Sequence, residues 1–73
     1  MNFGQALDAL RNNQAVQRSG WNGKGQYLKL QVPDAHSKMT LPYIYITTVQ
    51  GDRVPWLASQ TDILASDWQA VNP

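Results

Sequence analysis

Cysteine and glutamate are absent from the 73 residues, and histidine occurs once, as His36. Without cysteine there is no disulfide, no zinc–thiolate staple and no thiol nucleophile. One histidine leaves the familiar metal sets and nucleophile–base pairs without partners. A chain free of cysteine also fits a reducing compartment. No apolar run is long enough for a membrane helix or a secretion-signal core, so a soluble cytoplasmic protein is expected. Charge is sparse and nearly balanced, at +1 net. The cations Arg11, Arg18, Lys24, Lys29, Lys38 and Arg53 are scattered, so no basic track for a long nucleic acid exists. A small anion needs only a few converging cations and stays open. The length implies one domain, residues 1–73, that is marginal as a lone unit. Good packing or oligomerisation must supply what staples do not, and Trp21, Trp56 and Trp68 are the obvious material for either.

Periodicity predicts an α+β protein. Phe3, Ala6, Leu7 and Leu10 form one apolar helical stripe. Asn2 with Gln5 makes a box-like cap, and Asn12–Asn13 a stop. Short strands are predicted over Gln14–Arg18, Tyr27–Val32, Leu41–Val49, Val54–Leu57 and Asp67–Val71, with a turn at Gln50–Arg53 and a polar loop from Pro33 to Met39. Alternation sends Leu28, Leu30 and Val32 to one side and Tyr27, Lys29 and Gln31 to the other. It likewise separates Ile44 and Ile46 from Tyr43, Tyr45 and Thr47. Ser59 and Asp62 mark a short, capped late helix. The expected architecture is an N-terminal helix, a mostly antiparallel sheet and that short helix.

Three features carry candidate chemistry. The first is the loop Gly20-Trp21-Asn22-Gly23-Lys24-Gly25. Its glycines expose N–H groups that can cradle a phosphate, Lys24 adds a cation and Trp21 a flat face. It lacks the spacing of a nucleotide-triphosphate loop, and the pattern alone favours a turn whose Trp21 plugs the core. The second is Trp56 followed by Ser59, Gln60, Thr61 and Asp62: either a base- or ribose-binding helix start or a plain cap beside a core tryptophan. The third is the face bearing Tyr27, Lys29, Tyr43 and Tyr45, which suits a subunit interface better than a single-stranded nucleic acid given so little positive charge. His36 reads as a surface-loop residue. Asp62 and Asp67 could form a catalytic carboxylate pair, but Asp62 is well placed as a helix-capping acid, and acid–base catalysis is the weaker reading.

The opening Met1-Asn2-Phe3-Gly4-Gln5-Ala6-Leu7, the Gly20–Gly25 loop, and the block Val54-Pro55-Trp56-Leu57-Ala58-Ser59-Gln60-Thr61-Asp62-Ile63-Leu64-Ala65 with Asp67-Trp68 resemble the Thoeris anti-defence 2 family over nearly the whole chain. The resemblance implies a phage sponge that holds cyclic ADP-ribose-type signals of the Thoeris system, and cyclic oligonucleotides of the CBASS system, without cleaving them. It further implies a homotetramer with ligand pockets between subunits, acting in the cytoplasm of the infected host. The expected ligand-binding residues are Trp21, Asn22, Gly23, Lys24, Trp56, Ser59, Gln60 and Asp62, with no catalytic residue, metal or cofactor. The competing readings are an enzyme that hydrolyses such signals and a small accessory protein that binds nucleic acid or protein.

Overall fold

The computed structural model describes all 73 residues. The chain runs α1 (Phe3–Arg11), β1 (Ala15–Arg18), β2 (Tyr27–Gln31), β3 (Tyr43–Thr47), β4 (Arg53–Pro55), α2 (Gln60–Leu64) and β5 (Trp68–Val71). This is the expected α+β architecture, and every strand pairing is antiparallel. Neither helix is long and apolar enough to cross a membrane.

Local signals explain both ends of α1. The Asn2 side chain accepts the Gln5 N–H at 2.8 Å, and the Gln5 side chain accepts the Asn2 N–H at 2.9 Å, so two otherwise unpaired donors are satisfied reciprocally. At the other end Asn13 takes φ 63°, a left-handed conformation asparagine tolerates. Gln14 N–H then reaches the Ala9 carbonyl and Asn13 N–H that of Leu10, the paired bonds of a Schellman stop.

The strands order β4-β3-β2-β1-β5. The first four strands form a meander. Its last hairpin closes at Thr48–Asp52, where Gly51 takes φ +90°. The segment bearing α2 then carries the chain from one edge of the sheet to the other, so β5 lies beside β1. Observed strands are shorter than alternation suggested. β3 covers Tyr43–Thr47 rather than Leu41–Val49, since β4 offers only three residues of pairing and Pro42 has no N–H to give. β2 stops at Gln31, and Val32, expected on the core face, is exposed.

Register sets the core. Val16 lies opposite Leu28, Leu28 opposite Ile46 and Ile46 opposite Val54, one continuous row. Helix α1 lays Ala6, Ala9 and Leu10 over that face, where Val16, Leu28 and Trp68 are also buried. Phe3 and Trp56 close the same cluster: ring centroids stand 5.5 Å apart for Phe3–Trp68 and 6.1 Å for Trp56–Trp68. The opposite face holds Tyr27, Lys29, Gln31, Tyr43 and Tyr45, with Lys29 opposite Tyr45 and Gln31 opposite Tyr43. No helix packs on it, since α1 contacts β1, β2 and β5 from the core side only.

Candidate functional site

β1 ends on Arg18, and alternation places Arg18 on the same face as Val16, next to Trp68 across the β1–β5 pairing. A guanidinium turned toward a core must bring partners with it, because an unpaired buried charge is costly. It has two. Its Nη1 donates to Asp62 Oδ1 at 2.9 Å and its Nε to Asp67 Oδ1 at 2.8 Å. Asp62 comes from α2 and Asp67 immediately precedes β5, so the ion cluster joins three parts of the chain.

The same carboxylates hold the loop after β1. Asp67 Oδ2 accepts the Gly20 N–H at 2.8 Å. Asp62 Oδ1 accepts the Trp21 indole N–H at 3.2 Å, and Asp62 Oδ2 accepts the Ser59 hydroxyl at 2.9 Å. Ser59 in turn accepts the Asp62 N–H, the expected cap of α2. Trp21 stands edge-on to Trp68 with centroids 5.4 Å apart, an arrangement favoured by the ring quadrupoles. Trp68 donates its own indole N–H to the Asp62 carbonyl at 2.9 Å. Trp21 is therefore a half-buried side chain, one edge fixed in the core cluster and the rest at the surface.

Electrostatics follow from these contacts. Burial pushes the Asp62 carboxyl up, but hydrogen bonds from Arg18, Trp21 and Ser59 outweigh it and hold the group below the usual aspartate range. Asp67 is held down chiefly by Arg18, against partial burial, with help from the Gly20 N–H. Arg18 is raised further by its bonds to both partners. Both carboxylates are thus ionised and engaged. The pair considered for acid–base work is a clamp around an arginine, and neither member has the raised pKa a general acid needs near neutrality.

The glycine loop lines a cleft of about 170 Å³ with Arg18, Trp21, Lys24 and Gln69 among its walls. Of the residues named from sequence, Trp21, Gly23 and Lys24 border this cleft, Ser59 and Asp62 stand behind Trp21, Asn22 and Gln60 are exposed nearby in the chain, and Trp56 sits against Phe3 and Trp68. Trp56 is half-buried and packs against the core cluster through Phe3 and Trp68. The α2 start offers no free amide to a ligand at Asp62, because Ser59 occupies it. His36 lies in an exposed turn in which its backbone N–H donates to Asp34 Oδ1 at 2.9 Å. No three histidine, cysteine or acidic side chains come together as a metal site would need.

Two features escaped sequence reasoning. Arg18 was the missing centre of the cluster, and one signal pointed to it: an arginine two residues from Val16 on a strand whose alternate face is buried. The second is a groove of about 680 Å³ on the uncovered face, walled by Met39, Leu41, Tyr43, Tyr45, Arg53 and Pro55 among others. Arg53 lies over the Tyr45 ring at 6.0 Å. The tyrosines were legible from alternation; the loop residues that deepen the face into a groove were not.

Comparison with known proteins gives a consistent result. A family model for the Thoeris anti-defense 2-like domain matches residues 1–71. A curated protein, Thoeris anti-defense 2 of Bacillus phage SP01, is 36% identical over 85 aligned positions, covering 99% of this chain and 96% of the relative. The aligned region includes the glycine loop, Arg18 and both aspartates.

Proposed function

The chain belongs to the Thoeris anti-defense 2-like family, and from that premise we propose that it serves phage anti-defence as a sponge, binding cyclic ADP-ribose-type signals and releasing them intact. The observation that carries this reading is the Trp21 loop: a half-buried indole, pinned by its N–H to Asp62, beside a cleft with free Lys24 and glycine amides. A fixed aromatic offers a base or ribose contact area at small entropic cost, and Lys24 with backbone N–H groups suits a phosphate. Cyclic oligonucleotides of CBASS present the same base faces and phosphates, and are proposed as a second ligand class. The engaged, ionised state of Asp62 and Asp67 supports holding over hydrolysis, since activation of water needs a base that is not already spent on an arginine.

The cleft on one chain is small. Small-molecule sites usually enclose roughly 300–1,000 Å³, against about 170 Å³ here. A second subunit would supply the missing wall, in keeping with a homotetramer in the host cytoplasm. Surface area supports association. A folded monomer of 8.2 kDa should expose about 4,500 Å² by the usual size scaling, whereas this one exposes 5220 Å². The groove on the uncovered face carries two tyrosines, one methionine and one arginine and lacks lysine and acids among its walls, a composition that suits an interface centre.

Calorimetry against a panel of cyclic ADP-ribose isomers and cyclic dinucleotides tests the reading, followed by denaturation and chromatography of the released ligand. Saturable binding with intact recovery is expected. Progressive loss of excess ligand at catalytic protein concentration, with or without magnesium or manganese, would establish an enzyme instead. Salt-sensitive binding to random single-stranded DNA in place of the panel would favour an accessory protein.

A further inference from the structure

A glycine-rich loop has many conformations available and loses much entropy when one is selected. Here the loop after β1 is held at two successive residues. Gly20 is tied by its backbone to Asp67, and Trp21 by its indole to Asp62. Neither aspartate belongs to the loop. Each is held in turn by a different nitrogen of the same guanidinium, Nε for Asp67 and Nη1 for Asp62. Asp67 divides its oxygens between that arginine and the Gly20 N–H, whereas Asp62 accepts both Arg18 and the Trp21 indole on Oδ1 and the Ser59 hydroxyl on Oδ2.

Gly20 shows how closely the parts fit. A Cβ placed there would stand 2.7 Å from Asp67 Oδ2, so the carboxylate occupies the space a side chain would need. Arg18 itself is unsuited to seizing a phosphate. Its single positive charge faces two carboxylates, leaving the cluster one charge negative, and its side chain is only 17% exposed. Lys24, exposed on the same cleft and in no ion pair, is the cation free for that task.

We propose that Arg18 is a positioning residue for ligand capture: through Asp62 and Asp67 it sets the Trp21 indole and the Gly20 backbone in the arrangement that receives the ligand, without touching the ligand itself. The inference rests on the reading that ligand binds at the Trp21 loop. It divides the labour of the two cations. Arg18 organises the loop before ligand arrives, and Lys24 meets the ligand's charge. Lysine cannot replace arginine in the first role, because one ammonium lacks the planar fork that reaches two carboxylates from separate nitrogens.

The test combines loop and ligand measurements on the full chain. Arg18→Lys, Gly20→Ala, Lys24→Ala and Asn2→Ala are compared with the unaltered protein. Amide exchange at Gly20 and the Trp21 indole N–H resonance report the loop; calorimetry with cyclic ADP-ribose isomers reports capture. Arg18→Lys and Gly20→Ala should each speed amide exchange at position 20, shift the Trp21 indole signal and weaken binding by about ten-fold or more through lost preorganisation. Lys24→Ala should weaken binding with both loop signals unchanged. Asn2→Ala, which loses a helix cap, should lower the melting temperature while keeping full affinity, so affinity follows loop order and not stability. Should Arg18→Lys fail to fold, Gly20→Ala still opens the same contact with Arg18 intact. Unchanged loop signals in Gly20→Ala and Arg18→Lys, or full affinity from a visibly loosened loop, would overturn the proposal. If the unaltered protein binds none of the panel, the proposed function fails and takes the capture role of Arg18 with it, while the exchange data still decide whether Arg18 sets the loop.

Discussion

The three tryptophans divide by what surrounds them. Trp68 is 2% exposed, stacks edge-on with Trp21 and Trp56, and spends its indole N–H on the Asp62 carbonyl. Trp68→Ala removes the centre of the cluster and should cost about 3–5 kcal/mol, enough to unfold much of a small domain; urea denaturation followed by circular dichroism measures it. Trp21 and Trp56 are half-buried, so truncation removes fewer core contacts. Trp21→Ala and Trp56→Ala should stay folded and lose ligand affinity by roughly ten-fold or more, since a base–aromatic stack is worth about 1–3 kcal/mol. Full-strength binding by a folded Trp21→Ala protein removes Trp21 from the site. Trp21→Phe refines the question, because it keeps a flat ring and deletes only the N–H that Asp62 accepts.

Between elements, the Arg18 cluster is what couples β1, α2 and β5, and its acid dependence follows from the carboxylates. Asp62 and Asp67 are both held below the ordinary aspartate value in the folded protein. The unfolded chain therefore binds protons more readily than the folded one, and stability rises with pH across that window. The contribution is complete above the unfolded value of about 4 and is lost as pH falls through the depressed folded values. Melting temperature should accordingly be flat from neutrality to about pH 5 and drop below about pH 4. Asp67→Asn should flatten part of that drop; an unchanged acid limb would mean that other groups control it. Helix α1 depends on a different device. Asn2→Ala breaks the reciprocal cap seen with Gln5 and should cost about 1 kcal/mol, readable as a lower denaturation midpoint with an unchanged slope.

For the molecule as a whole, the sheet has one covered face and one bare one. The bare face presents Tyr43, Tyr45 and Arg53, and beside them Leu41 is 76% exposed and Met39 60% exposed. Few residues are fully buried in a chain of this size, so the hydrophobic contribution of a lone subunit is small. Association should recover some of it. Light scattering at micromolar concentration should show an oligomer, with four copies expected. Tyr43→Asp and Leu41→Asp should shift the population toward monomer and lower the melting temperature, because each buries a charge where copies meet. A protein that is monomeric at all concentrations, or one whose oligomer ignores both substitutions, would remove this face from the assembly.

Much of this organisation is written locally. The start and stop of α1, the turn at Gly51, the cap of α2 and the two faces of β2 and β3 follow from backbone sterics, capping chemistry and side-chain period, all of which act over a few residues. Alternation also marked Tyr43 and Tyr45 as lying opposite the aliphatic core. Strand ends were less legible, because pairing stops where the partner runs out: Val32 and Val49 continue an apolar pattern but find no strand to extend. The site's centre was least legible. Arg18 meets Asp62 and Asp67 across 44 and 49 residues of chain, and the two acids by themselves suggested a helix cap or, less readily, a catalytic pair, with nothing to indicate a shared arginine. Only the strand order, which returns β5 beside β1 and lays α2 above their common end, brings those charges within hydrogen-bonding distance. Sequence alone determined which segments became helix and strand and which faces were apolar, because those choices are made by neighbours. The tertiary structure decided what Arg18 holds and therefore how Trp21 is presented, because a buried charge takes its partners from whatever the fold places within reach.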